Sequence, residues 1–485
     1  MAAPDLFEKI VSLCKRRGFI VQSSEIYGGL PATYDYGPLG VELKRNLTTR
    51  WWHAMTRRHP NIEGLDAAIL MHPTVWKASG HVDAFKDPLI DDKASKMRYR
   101  ADTLIEDQIA RLRKKKKTQK ADALAEAYAA AMNAENMCDE LYKVIVEHEI
   151  KSPDSGSKDW TEVRQFNMMF STRLGAVDKD ATEIYLRPET AQGIFVNFNY
   201  VRDVSRQAIP FGIAQMGKAF RNEIVARQFV FRMREFEQME LQYFVKPGTQ
   251  MEAYEEWKEK RLQWHCDNGV RPERLRFADH VKLAHYADAA VDIEYDFPIG
   301  WKEIEGIHSR TDYDLSAHQE HSGKKLEYFD TQTKERFIPY VVETSAGVDR
   351  SILMVLCDAY EEEKLENDTR VVLHLHPKLA PYTAAIFPLV KKEGMPEVAH
   401  AIEADLREDL NCFYDEKGAV GRRYRRMDEA GTPYCVTIDG QTLEDGTVTV
   451  RERDSMNQER VSKDKLLPYL QDQIRAYKPS FSADK

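Results

Sequence analysis

Cysteine is sparse and scattered in this chain. The six thiols, Cys14, Cys138, Cys266, Cys357, Cys412 and Cys435, include no C-x-x-C pair, which excludes a zinc ribbon or disulfide framework and suits a reducing cytosol. No apolar run approaches the roughly 18 residues needed to span a bilayer. The opening MAAPDLFEKIVSLCKRRGF carries acidic residues on an amphipathic helical pattern, unlike a signal or transit peptide. The expectation is a soluble, cytoplasmic protein without a membrane partner. An excess of positive charge is lacking too. Lys and Arg number 70 against 79 Asp and Glu, a formal charge of −9, so the chain does not coat nucleic acid through bulk charge. Any polyanion must be met by local basic patches. Neither a G-x-x-x-x-G-K-[ST] loop nor a kinase Gly-rich loop is present, which argues against a nucleotide-binding kinase.

What is present is 485 residues, 42% apolar and 31% charged, enough for two or three cores. Leu43, Leu47, Trp51 and Met55 recur every fourth residue and predict a helix from Gly37 to about Arg57. Residues 67–71 read as a short strand stopped by Pro73. From 101 to 150 Ala, Leu, Glu and Lys dominate without Pro or Gly, predicting long helices, a hairpin inserted into another domain; 151–158 is a loop. Strands are expected from Glu183 to Val245 and Val291 to Val342, with helices from Met251 to about Trp264 and after Gly347. The charged run EEEKLENDTR (361–370) marks a domain boundary, and beyond it VVLHL, AAIFPLV, a helix from about Met395 to Tyr414, YCVTID and TVTVRER alternate as a small α/β domain.

Three segments carry chemistry. GKAFRNEI (217–224) and FRMREFEQMELQYFV (231–245) read as a hairpin around the loop VARQ, placing Arg221 with Glu223 on one strand and Phe236, Gln238, Glu240 and Gln242 on one face of the other. Charged groups facing a core are costly unless a ligand satisfies them; the alternative is a solvated sheet face. In ETSAGVDRSILMVL (343–356) Ser345, Ala346 and Gly347 allow close approach to the backbone. Arg350 falls in the first turn of the helix that follows, where a cation opposes the helix dipole. It answers to an anion or a π-face, or else to a structural ion pair.

On these residues the chain resembles the class II aminoacyl-tRNA synthetases, specifically their dimeric glycyl branch. FRNE (220–223) is similar to motif 2, GVDR (347–350) to a variant motif 3, and Pro73 to the motif 1 proline of a dimer interface. IYGGLPATYDYGPLGVELK (26–44), YLRPETAQGIFVNF (185–198), REFEQMEL (234–241) and RTDYDL (310–315) accompany them in order, over about residues 5–475.

The resemblance implies an α+β fold: an antiparallel-sheet catalytic domain (1–365) with a mainly helical insertion (about 101–160), then an α/β anticodon-binding domain (370–485). It implies a homodimeric ligase that activates glycine with ATP and Mg²⁺ and transfers it to tRNA(Gly). Arg221 and Arg350 are the expected catalytic residues. The ATP site is expected from Arg221, Asn222, Glu223, Phe231, Arg232, Met233, Arg234, Glu235, Phe236, Glu303, Ile304, Gly347, Val348, Asp349 and Arg350. Phe236 and Arg350 would sandwich the adenine, and Glu303 would hold Mg²⁺.

Glycine is expected to meet Arg100, Glu189, Phe236, Gln238, Glu240, Glu343, Ser345 and Gly347, with the glutamates holding its ammonium and Ser345 forming part of a wall against larger amino acids. Clustered carboxylates without a bound cation are expected to have raised pKa values. The alternative for these glutamates is a surface acidic patch.

One departure bears on metal. Many such enzymes carry zinc-binding cysteine pairs where this chain has Asp92 with Ser95, and Ser152 with Ser155. No thiolate cage can form there, so no structural zinc is expected. The run RLRKKKKTQK (111–120) is either a solvated helix tip or a contact for the tRNA acceptor stem. GRRYRR (421–426) either holds anticodon-loop phosphates or is ordinary surface. The competing readings are a synthetase for serine or threonine, and a synthetase-like RNA-binding protein that has lost catalysis. The three glutamates argue against the first, and Arg221, Glu223 and Arg350 against the second.

Overall fold

The strand-forming sequence between 211 and 347 builds one twisted sheet. In the computed structural model, which describes residues 3–175, 182–224, 228–280, 283, 287–366, 368–392 and 394–478, its strands are β1 (Ile62–Leu65), β2 (Phe211–Phe220), β3 (Glu235–Val245), β4 (Leu275–Asp279), β5 (Ala289–Phe297), β6 (Gly300–Thr311) and β7 (Tyr340–Gly347). Residues 225–227 of the expected VARQ loop, Asn367 of the charged run and the ends of the two expected domains lie outside the described residues. The spatial order is β4-β5-β6-β7-β3-β2-β1, antiparallel throughout except for the β1–β2 edge.

Register sorts the side chains into two faces, because alternate residues of a strand point the same way. One row across the sheet reads Gln215, Glu240, Ser345, Gly306 and Asp292; the next reads Ile213, Gln242, Glu343, His308 and Ala290. The opposite face presents Met239, Leu241, Ile293, Ile307, Val342 and Ala346 to the main core.

Against that core face lie the helices Pro38–Trp52, Gln250–Asp267 and Val348–Ala359. Gly37 caps the first with Pro38 behind it, and Leu43, Leu47, Trp51 and Met55 are buried at the spacing read from the sequence. Gly40 is required there: a Cβ would lie 1.8 Å from the Phe19 carbonyl oxygen. Ile352, Leu353, Val355 and Leu356 are likewise buried in the helix after Gly347.

A charged network is closed inside this layer. Arg261 donates to both oxygens of Glu305, at 2.5 and 3.1 Å, and His265 Nε2 lies 2.8 Å from the same carboxylate. Burial would raise the Glu305 pKa, but the Arg261 cation and the His265 contact overcome it and hold the value at about 2.

Several elements differ from the sequence reading. Residues 67–71 form no strand beyond an isolated Leu70–Leu186 bridge; the ladder is made by β1 instead, and Pro73 opens a helix, Pro73–Ala78. Within the expected strand region, Ala191–Val196 and Phe198–Ser205 are helices, because Ala191, Ile194, Phe195, Phe198 and Val201 fall on one buried helical stripe. The inserted region is three helices rather than two, Ala101–Lys114, Thr118–Met132 and Met137–Glu147, around its own core. It stands on a small sheet of Lys86–Asp91, Arg98–Arg100 and Arg164–Asn167. Beside that sheet, Ser95 and Ser155 both donate to the buried Asp92, at 2.6 and 2.5 Å, and Ser152 lies 3.3 Å from the Tyr99 hydroxyl.

The charged run is part of a ribbon, Tyr360–Lys364 with Thr369–Leu373. It leads to a five-stranded mixed sheet in which Ala384–Pro388 runs parallel to Cys412–Tyr414 and Tyr434–Ile438. The helix from Met395 ends at Arg407, and Cys412–Tyr414 is a strand because Cys412 packs inward beside Ala384. Phe387, Ala430 and Cys435 join the main core, so the apolar interior is continuous between the two sheets. Among the described residues no helix is long and apolar enough to cross a membrane.

Removing Glu305 strands a buried guanidinium, which typically costs about 3–5 kcal/mol; Glu305→Ala is expected to lower unfolding stability by about that much in urea titrations. The folded pKa lies below the ordinary 4.5. The wild-type stabilisation is therefore complete above pH 4.5 and disappears as the pH falls towards 2, and the variant lacks that acid-dependent loss.

Candidate active site

The polar face of the sheet floors a cavity of about 270 Å³. Its walls come from β3, β6 and β7, from the segment joining β2 to β3, and from the first turn of the Val348–Ala359 helix. Of the expected site residues, Glu189, Arg221, Glu223, Phe231, Arg232, Met233, Phe236, Gln238, Glu240, Glu303, Glu343, Ser345, Gly347, Asp349 and Arg350 line it together. Arg100, Asn222, Arg234, Glu235, Ile304, Val348 and Pro73 are not among the lining residues.

Each of these has another position. Arg100 pairs with Asp102 at 2.6 Å and Asp87 at 3.0 Å. The Asn222 backbone N–H donates to the Met168 carbonyl, Arg234 donates to the Pro31 and Glu223 carbonyls, and Glu235 pairs with Lys218 on the flank of the hairpin. Ile304 and Val348 pack in the core.

Arg221 and Glu223 do not sit on a strand as expected. β2 ends at Phe220, and both lie in the segment beyond it, where the Arg221 Nε donates to the Pro188 carbonyl at 3.0 Å. The Arg221 guanidinium is 5.4 Å from the Phe236 ring. Arg350 lies 4.6 Å from the Phe231 ring, donates to the Phe231 carbonyl, and pairs with the half-exposed Glu303 at 3.1 Å. That pairing draws the Glu303 pKa down, against the desolvation of its carboxylate by the surrounding cavity walls, with help from the field of Arg221. Asp349 faces inward, accepting from the Tyr36 hydroxyl at 2.5 Å and the Glu237 N–H at 2.9 Å, which fixes the helix start against β3.

The deepest part of the cavity is acidic. Glu240 Oε1 accepts from Ser345 Oγ at 2.8 Å and Gln238 Nε2 at 3.0 Å, and Oε2 from Thr190 at 2.7 Å. Glu343 accepts from Gln242 at 2.6 Å and from Arg310 at 3.2 Å, with His308 Nδ1 at 2.9 Å. Glu189 meets His81 at 3.3 Å and Gln192 at 2.9 Å. Arg310 is itself forked onto Asp314 at 2.9 and 3.1 Å.

The expectation that all three carboxylates have raised pKa values holds for one. Burial, then the fields of Glu343 and Glu189, push Glu240 up to about 8. Burial also acts on Glu343, but Arg310 and His308 prevail and hold it at about 2; Glu189 is lowered by His81 and Arg310. The Arg310 guanidinium, together with an imidazole contact at each carboxylate, inverts the like-charge effect for two of the three. Gln238 Oε1 is buried in the same wall without a hydrogen-bond donor. A small cation with several N–H donors satisfies what this corner lacks.

Arg310, His308, Gly306, Thr190, Gln192 and His81 had no role in the sequence reading. Arg310 lay within RTDYDL, and the pairing need of buried glutamates was the signal that could have found it. The two outlying basic runs separate. Every charged residue of 111–120 is exposed, at a turn between two helices. In GRRYRR, Arg423 is buried and donates to the Pro388 and Leu389 carbonyls, and Arg426 pairs with Asp415. Those two are held by the fold, which leaves Arg422 exposed and Arg425 beside Asp368.

Comparison with known proteins accords with this geometry. The family model for the class II tRNA synthetase core domain (G, H, P, S and T) matches residues 170–359, that for an anticodon binding domain 383–473, and that for glycyl-tRNA synthetase insertion domain 1 residues 87–121 and 113–168. The glycine–tRNA ligase of Chlorobaculum tepidum is 58% identical over 463 residues, covering 95% of this chain and 98% of that protein. The glycine–tRNA ligases of Treponema denticola (50% identical; 97% of this chain, 98% of theirs) and Bacillus cereus (49%; 96% and 99%) are similar over the same span. The chain belongs to the glycine–tRNA ligase family of class II aminoacyl-tRNA synthetases.

Proposed function

We propose that this chain joins glycine to tRNA(Gly) in two steps: ATP and glycine give glycyl-adenylate and pyrophosphate, then the terminal ribose hydroxyl of the tRNA displaces AMP. The observation that carries the reading is the acidic corner, where Glu240, Glu189 and the unpartnered Gln238 Oε1 converge beside a cavity rimmed by Arg221 and Arg350.

On this reading the ammonium of glycine settles among Glu189, Glu240 and Gln238 Oε1, while Arg310 keeps Glu343 ionised and the floor rigid. Ser345 and Gly306 face each other across neighbouring strands and set the small size of the amino-acid pocket. Arg221, with guanidinium nitrogens beyond the one tied to Pro188, faces the α-phosphate and the attacking carboxylate. The adenine lies between the Phe236 and Arg350 sides of the cavity. MgATP is the substrate, and Glu303 offers the hard carboxylate oxygen such an ion prefers. No side chain need act as nucleophile or base: the glycine carboxylate attacks the α-phosphorus in line and pyrophosphate carries away the bonding pair. Catalysis is positioning together with stabilisation of phosphate charge. The dimer, with Pro73 at its interface, and the cytoplasmic location belong to the same proposal, as does the division into domains at about 365–370.

Glycine-dependent ATP–pyrophosphate exchange, followed by charging of tRNA(Gly), tests the reading; exchange with glycine but not serine or alanine is expected, and its absence overturns it. Because free Glu240 titrates near 8 and an ammonium prefers its anion, glycine binding below that pH releases a proton. The KM for glycine is expected to fall as pH rises from 6 towards 8, by at most about tenfold per unit. Glu240→Gln is expected to remove this pH dependence and to cost about 2–5 kcal/mol in kcat/KM for glycine. Replacing Lys114, Lys115, Lys116 and Lys117 by Ser is expected to raise the KM for tRNA, most strongly at low salt, and to leave pyrophosphate exchange unchanged.

A further inference from the structure

Three neighbouring strands bring two imidazoles and a carboxylate together beside the amino-acid corner. Asp292 on β5 is opposite Gly306 on β6, His308 follows two residues later on the same face, and His280, just past β4, donates its backbone N–H to Ala290, the residue paired with His308. His280 Nε2 lies 3.0 Å from Asp292 Oδ1, and the His280 and His308 ring centres are 5.7 Å apart. One ligand atom from each of the three falls within 4.8 Å of the others.

A second observation concerns the space between them. A Cβ on Gly306 would lie 3.0 Å from His308 Cε1, 3.3 Å from His308 Nε2 and 3.6 Å from Asp292 Oδ1. The absent side chain lets His308 and Asp292 close over the Gly306 backbone, at the edge of the cavity that Gly306 and His308 line.

The geometry points to a binding site for a borderline divalent transition ion, of the Zn²⁺ or Co²⁺ type, on His280, Asp292 and His308. Two imidazole nitrogens and one carboxylate oxygen favour such an ion over Mg²⁺, which prefers an all-oxygen shell. Metal–ligand bonds near 2.1 Å put tetrahedral ligands about 3.4 Å apart, so side-chain rotations alone close the set, and a water completes it from the open side. His308 is oriented for this by its other nitrogen, since Nδ1 faces Glu343 at 2.9 Å. An ion on Nε2 keeps the ring proton on Nδ1, donating to that carboxylate. The ion would thereby brace one wall of the acidic corner. This site is separate from Asp92, Ser95, Ser152 and Ser155, and its existence does not depend on the proposed reaction.

Titration of the full chain with Co²⁺ in magnesium-free buffer, followed by visible d–d absorption, tests it. One saturable Co²⁺ per chain is expected, displaced by Zn²⁺ and not by excess Mg²⁺. His280→Ala and Asp292→Asn are each expected to weaken it at least about tenfold with the thermal transition unchanged; His280→Gln replaces the first if it does not fold. Absence of saturable binding, a cobalt–thiolate charge-transfer band, or unchanged binding in both variants overturns the proposal.

Discussion

Charge buried on the faces of one sheet is the constraint around which this structure is arranged. Glu305 and Glu343 occupy adjacent strands but opposite faces, and both are almost fully buried. Each carboxylate costs several kcal/mol to desolvate unless a cation meets it. On the core face the account closes: Arg261 forks onto Glu305 and His265 takes what remains. On the cavity face it stays open. Arg310 serves Glu343 and Asp314, which leaves Glu240 with hydroxyl and amide donors but no cation. A satisfied polar network rigidifies a fold, and one short of a positive charge is a receptor for it.

That asymmetry explains why much of the site was legible in sequence and some was not. Helix periodicity located Leu43 to Met55 and Ile352 to Leu356, because burial against one layer imposes a 3.6-residue spacing. Alternation placed Phe236, Gln238, Glu240 and Gln242 on one face, because the pleat has period two. Family phrases drew together most of the residues that line the cavity. What they could not give was the partner of each charge. Arg310 and His308 sit far along the chain from Glu343, and strand register alone makes them neighbours. The same limit applies to Arg423, whose neighbours in sequence advertise a surface patch while its guanidinium caps carbonyls inside the fold.

Local sequence also misled where two periods compete. The aromatic and branched residues of 191–201 suit a strand, but their spacing at 191, 194, 195, 198 and 201 suits a buried helix face, and packing beside β2 and β3 decides for the helix. Residues 67–71 are apolar enough for a strand, yet the edge position beside β2 is taken by β1, and they make only the isolated Leu70–Leu186 bridge. The Ala67 N–H and carbonyl are instead met by the side chains of Gln215 and Arg187.

The β2–β3 hairpin converts this sheet chemistry into a directional site. At about 3.3 Å per residue, Phe236 and Glu240 stand about 13 Å apart along one strand. On the proposed reading, that spacing puts the ammonium at the buried end and the nucleotide at the open end, with the reacting carboxylate and phosphate between. At the open end the chain leaves β2 at Phe220 and re-enters the sheet at Glu235. Its described residues are held both by apolar packing, with Val230, Phe231 and Met233 in the main core, and by hydrogen bonds: the Arg234 N–H and guanidinium reach the carbonyls of Ala32 and Pro31, and the Asn222 N–H reaches Met168. A glycine-sized substrate offers little surface to bind, so the precision must come from the protein. Register at one end and these contacts at the other are what supply it.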